Sequence, residues 1–198
     1  MKKLLSSVIK QPVRLACLGL IAGLLTFATP GALMAQATKI TSTEGRYNVI
    51  FPAPAELKVN PPISADGEPL GFGAGTTVTY SVELYTARLD NQLFVTAYTR
   101  YTGDGVYIDA EKELLQNRDN FINGVKGVLT SSKKTEYILP SAQKIPGLEF
   151  AGETDVWMLH GRYYVSGNDV WGIVYLARKG HESTTVRDQF YRSLEVRP

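Results

Sequence analysis

After residue 45 the apolar positions recur mostly at every second residue, and in two places at every third or fourth. The first spacing predicts strands with one buried face, the second amphipathic helices. Arg46 to Phe51 alternates and stops at Pro52, so it reads as a short strand behind a polar stretch from Thr38 to Gly45. Prolines 52, 54, 61 and 62 then predict an extended loop. Thr76 to Arg88 places Val78, Tyr80, Val82 and Leu84 on one face, and Leu93 to Tyr101 alternates again beyond Asp90 and Asn91. That is a hairpin. The period changes at Asp109, which suits a helix cap: Ala110, Leu114, Leu115, Phe121, Ile122, Val125 and Leu129 follow at helical spacing, with Glu111 and Glu113 where the helix dipole favours acids. A helix from about Asp109 to Gly127 is predicted. A second runs from a Ser183 cap to the C-terminus, with Val186, Phe190 and Leu194 on one face.

Between the helices lie four more apolar runs. Thr135 to Leu139 reads as a strand, and Ile145-Pro146-Gly147-Leu148 as a type II turn, proline presetting its second position and glycine accepting a positive φ at its third. From Leu148 a strand places Phe150, Thr154, Val156 and Met158 on one face and Glu149, Glu153, Asp155, Trp157 and Leu159 on the other. With His160 and Gly161 as a two-residue turn, Met158 faces Tyr163 and Trp157 faces Tyr164; a turn at Gly167 and Asn168 pairs Val165 with Val170 and Tyr164 with Trp171. Trp157, Tyr164 and Trp171 then form a row across three strands. Val170 to Ala177 is apolar on both sides, as a central strand covered on both faces requires. The row is either core beneath the last helix or a stacking platform for a sugar ring or a partner's apolar surface.

The first 37 residues follow a different plan. Lys2, Lys3, Lys10 and Arg14 precede an apolar run from Leu15 to Ala28, and Ala35-Gln36-Ala37 closes the segment. A basic head, a short apolar run and an A-x-A end describe a cleavable secretory signal, and the run is shorter than the roughly 20 residues a membrane span needs. Cleavage is expected after Ala37, with Ala35 as the second choice, leaving residues 38–198 as one domain with no membrane anchor. The mature chain goes to the periplasm or the cell exterior, or to the thylakoid lumen in a photosynthetic bacterium. Cys17 opens the apolar run where a lipoprotein cysteine would close it, so it leaves with the signal.

Removing the leader reverses the charge. Its four basic residues bring 21 down to 17 against 19 acidic ones, so the formal charge moves from +2 to −2. A slightly acidic chain has no electrostatic reason to bind a nucleic acid backbone. It also keeps no cysteine, so disulfides and thiol chemistry are ruled out and the core must hold the fold.

Reactive groups are sparse. His160 in a predicted turn and His181 in a polar loop are the two histidines; no His-x-x-x-His pair and no G-x-S-x-G run occurs, and no cofactor or metal is implied. Gly71 to Gly75 lacks the following helix that a phosphate loop needs. Glu153 and Asp155 lie about 7 Å apart on one strand face. With Glu149 they serve either as an acidic pair for a sugar or a cation or as a solvated strand edge. The candidate ligand or partner face is therefore Glu153, Asp155, Trp157, Tyr164 and Trp171.

Several short motifs occur in a recognisable order: Tyr47 to Pro52 ending in Phe-Pro, a hairpin, Arg118-Asp119 on the helix, Pro146 to Phe150, an aromatic strand pair from Arg162, and Phe190 to Leu194. In this order the mature chain resembles small exported bacterial proteins with the fold of PsbP, the extrinsic protein of photosystem II. The resemblance implies an α+β fold, an antiparallel sheet flanked by helices as an α/β/α sandwich. It also implies non-enzymatic work on protein partners in assembly or complex stabilisation, and it carries over no functional residue. The rival expectation is a small-ligand or carbohydrate-binding protein, or a weak hydrolase, using the aromatic row and its carboxylates.

Overall fold

The computed structural model describes residues 37–66, 77–104 and 106–197. In chain order the elements are β1 (Thr38–Ser42), β2 (Tyr47–Phe51), β3 (Ala55–Asp66), β4 (Thr77–Leu89), β5 (Gln92–Thr102), α1 (Ala110–Gly124), β6 (Val128–Ile138), β7 (Lys144–Glu153), β8 (Trp157–Ser166), β9 (Asp169–Arg178), α2 (Thr184–Arg192) and β10 (Glu195–Val196). Seven strands form an antiparallel sheet in the order β3-β4-β5-β9-β8-β7-β6, and β1-β2-β10 form a small second sheet. The leader and the Gly71 to Gly75 segment lie outside the described residues.

Alternation along the strands gives the large sheet two apolar faces. Leu93, Val95, Leu148, Phe150, Leu159, Val170, Val174 and Leu176 pack against Leu114, Phe121 and Ile122 of α1. On the opposite face Phe94, Tyr98, Tyr164, Trp171 and Tyr175 meet Tyr47, Val49 and Phe51 of β2 and Phe190 and Tyr191 of α2. The fold is therefore α+β, with a helix on each face of an antiparallel sheet. β9 lies in the middle and is buried at every position but its last, which explains a strand apolar on both sides.

Both helices begin where expected. Asp109 Oδ1 accepts a hydrogen bond from the Lys112 amide at 3.1 Å and Ser183 Oγ one from the Val186 amide at 3.3 Å, each cap being worth about 1 kcal/mol. The two-residue turns at Asp90-Asn91 and Gly167-Asn168 also hold, with Asp90 and Gly167 in the left-handed region. Tyr164 pairs with Trp171 and Val165 with Val170, the expected register.

Several expectations fail. The strand expected over Thr135 to Leu139 begins at Val128 and takes in Leu129, which the helical spacing includes, and Met158 stands opposite Glu153 and Ala177 rather than Tyr163. Thr38 to Ser42 is a strand, β1, paired with β2. Pro61 and Pro62 fall inside β3, an edge strand whose pairing with β4 shifts between Asn60 and Ile63. A bulge on an edge is where a residue without an N–H fits a sheet. Pro146 and Gly147 belong to β7 rather than to a turn, and Gly147 has no positive φ. A Cβ on Gly147 would stand 2.5 Å from the Tyr164 ring and 2.8 Å from the Tyr163 carbonyl, so close packing is what demands glycine there.

His160 and Gly161 lie within β8, and the chain reverses earlier, at Thr154-Asp155-Val156. Thr154 drives that turn: its Oγ1 accepts from the Val156 and Trp157 amides at 3.2 and 2.9 Å, and its own amide donates to the Trp157 carbonyl. Lastly, α2 stops at Arg192 instead of running to the end. Ser193 Oγ donates to the Phe190 carbonyl at 2.7 Å and accepts from the Ile50 amide of β2 at 3.0 Å, turning the chain into β10.

Candidate functional site

The corrected turn separates the residues of the expected ligand face. Trp157 and Tyr164 sit seven apart on one strand and therefore point to opposite faces. Trp157 is half-buried against the α1 side, and it stands opposite Arg178 rather than Tyr164. Tyr164 and Trp171 are 5% and 1% exposed on the other side, where Trp171 Nε1 donates to the Gly45 carbonyl at 2.7 Å. The row exists in another form: Tyr164, Trp171 and Tyr98 lie side by side on β8, β9 and β5, with Tyr137 edge-on to Tyr164. It is core beneath β2 and α2. Glu153 pairs with Lys179 at 3.1 Å, Asp155 is exposed in the turn, and neither shares a face with Trp157.

Among the described residues, concavities lie on both faces at the β6 end of the sheet. Beneath the first half of α1 lies a groove of about 670 Å3 whose walls include Ala110, Leu114, Leu115, Pro146 and Leu148. Ion pairs of Lys134 with Glu111 and of Lys144 with Glu136, at 2.9 and 2.8 Å, stand at its rim.

On the opposite face a smaller cavity of about 270 Å3 lies between α2 and β6 to β8. Sheet register builds its floor: Lys133, Glu149 and Arg162 stand directly opposite one another on β6, β7 and β8. Lys133 Nζ lies 2.9 Å from Glu149 Oε1 and Arg162 Nε donates to Oε2 at 2.7 Å. Burial opposes the charge of Glu149, and the Lys133 hydrogen bond with the Arg162 charge overcomes it, holding the carboxyl below its usual range. His160, two residues before Arg162, shares this face by the period of the strand.

Helix α2 supplies the wall with Arg187 and Tyr191, one turn apart. The Arg162 guanidinium lies over the Tyr191 ring at 4.8 Å, and the buried Tyr191 hydroxyl has no hydrogen-bond partner. Arg187 Nη1 stands 3.5 and 3.4 Å from the two ring nitrogens of His160. Burial first, and the Arg187 charge second, push the His160 pKa down, so the ring is neutral at neutral pH. The sequence carried a signal for this site that periodicity alone reveals: His160 and Arg162 two apart on a strand, Arg187 and Tyr191 four apart on a helix. Placing His160 in a turn concealed it.

A third cluster is structural in its contacts. Asp169 accepts from Arg46 Nη2 at 2.6 Å, Tyr98 Oη at 2.6 Å and Arg100 Nε at 2.7 Å, fastening the turn before β2 to the β8–β9 hairpin. Among the described residues no three metal-ligating side chains converge, and no helix is long and apolar enough to cross a membrane.

No family model matches the chain, and no curated protein matches it. Among solved structures it is similar to the solution structure of the cyanobacterial PsbP (CyanoP) from Synechocystis, with a TM-score of 0.51 and 10% sequence identity over 86% of this chain and 98% of that one. At that identity the likeness is one of fold. The chain has a PsbP-like fold, as the order of its short motifs implied.

Proposed function

We propose that the chain is an exported, non-catalytic module that binds a protein partner in assembly or stabilisation of a complex. One observation carries the reading: the groove beneath α1 has apolar stretches at Ala110, Leu115 and Pro146 between charged residues of both signs, Glu111, Lys134, Glu136 and Lys144. Such a surface suits the apolar side chains of a partner segment, with charged groups set around them. The fold likeness to cyanobacterial PsbP supports the same reading. So does the engagement of the carboxylates: Glu149, Glu153 and Asp169 are each bound to cations, which suits scaffold more than acid or base work. Residues 1–37 are the address in this reading and residues 38–198 the working domain.

A photo-cross-linking amino acid at Leu115, on the groove wall and 36% exposed, tests it against the same group at Tyr107, which is 81% exposed and outside the groove. A discrete adduct from Leu115 alone, lost when Pro146 on the facing wall becomes Arg, is the expected result. Equal labelling from both positions overturns the groove as the contact surface.

A further inference from the structure

We propose that the cavity between α2 and β6 to β8 binds a small carboxylate, held between Arg187 and His160. This inference stands on the face opposite the groove and rests on nothing in it. Three cations line the cavity, and two of them, Lys133 and Arg162, already grip the two oxygens of Glu149. Arg187 is left. Its Nε and Nη2 rest on the neighbouring Asp188 at 3.0 Å, a pair with the acid 45% exposed, of the kind that contributes little. Its Nη1 turns to His160 at distances beyond an ordinary N–H bond. A cation and a neutral imidazole can present two N–H donors here and lack a close acceptor between them. A carboxylate has two oxygens to offer both donors.

Helix electrostatics point the same way. Arg187 stands four residues after the Ser183 cap, and α2 has no acid in its first turn. The positive end of a helix disfavours a cation, so Arg187 breaks a local rule where no described partner compensates beyond Asp188. An anion in the cavity relieves both conflicts. Counting Asp188 with the lining charges leaves one positive charge, which a monoanion balances and a phosphate dianion exceeds. The volume admits a ligand of a few heavy atoms, such as acetate or one end of an acidic side chain.

Binding is linked to the His160 proton. Facing the ring are Arg187, Asp188 and Tyr191 of α2, Glu182 before it, Glu149 of β7, Tyr175 of β9 and, further along β8, Arg162. A carboxylate that neutralises Arg187 removes the second of the two influences lowering the His160 pKa, which therefore rises on binding. By reciprocity, acidifying through that pKa tightens the complex.

The chain has two histidines, His160 and His181, so their ring protons can be followed separately by NMR in pH titrations of the mature protein. The probes are acetate, inorganic phosphate and chloride at matched ionic strength. Acetate is expected to move the His160 signals along a saturating curve, with a dissociation constant of about 1–10 mM for so small a ligand, and to raise the His160 midpoint while His181 stays put. Arg187→Gln should abolish the response, with the His181 signals and circular dichroism showing that the fold persists. Arg187→Lys, which keeps the charge without the fork, should retain part of it. A response shared by both histidines, one that survives Arg187→Gln, or none at all overturns the site. Phosphate binding tighter than acetate overturns the assigned ligand class.

Discussion

Asp169 has 11% of its side chain exposed and receives hydrogen bonds from Arg46, Tyr98 and Arg100. Burial opposes its charge, and the Arg100 and Tyr98 hydrogen bonds with the two arginine charges win, lowering its pKa below the ordinary carboxylate value. A depressed carboxyl contributes stability that is present above the unfolded pKa of about 3.9 and is lost as pH falls through the folded one. Asp169→Asn should therefore destabilise the protein by about 2 kcal/mol at pH 7, less than for a fully buried pair because the arginines are partly solvated. In urea unfolding followed from pH 7 to pH 2, the gap between wild type and variant is expected to close in the acid range. A gap that stays constant would remove the ion pairs from the account. Arg46, the most distant partner in sequence, stands in the left-handed region at φ 49°.

At the scale of elements, the packing of β7 on β8 gives a sharper forecast. Gly147→Ala adds a Cβ against the Tyr164 ring and, less forgivingly, against the Tyr163 backbone carbonyl at 2.8 Å. The expected cost is about 1–3 kcal/mol, read from the urea midpoint. The residue conveys how far the fold could be read in advance. Asp109, Ser183 and Gly167-Asn168 act through neighbours within four residues, so their caps and turn were legible in the sequence. Gly147 and Gly161 act through rings that arrive from the neighbouring strands, Tyr164 and Phe150, and a local reading turns such glycines into turns. One misplaced turn then shifted every inference between residues 154 and 164, including the aromatic row and His160. The Gly167-Asn168 turn pairs Tyr164 with Trp171 through local chemistry, whereas the face of Trp157 and the lining of the α2 cavity depend on where β7 reverses into β8.

For the whole molecule, the two edges of the large sheet are guarded differently. β3 has prolines and a bulge, whereas β6 has an irregularity between Leu129 and Ser131 followed by Lys133 and Lys134, 70% and 78% exposed. Edge lysines discourage strand-to-strand association between copies. Replacing both with Thr should lower the unfolding free energy by no more than about 1 kcal/mol, since both lysines are themselves largely solvated. Light scattering of concentrated samples should nonetheless rise with time; an unchanged trace would mean that β6 needs no guard.

The small sheet has a consequence in time as well as in space. β2 is completed by β10, whose Glu195 stands opposite Asn48, 147 positions further along the chain. Translation delivers β10 after every other described element, so a nascent chain stalled short of it leaves β2 half-paired over the Tyr98 and Trp171 rings. Closing so long a loop is slow as well as late. Until β10 arrives, one edge of β2 has no partner strand. The strand that finishes the fold is in this sense also its timer.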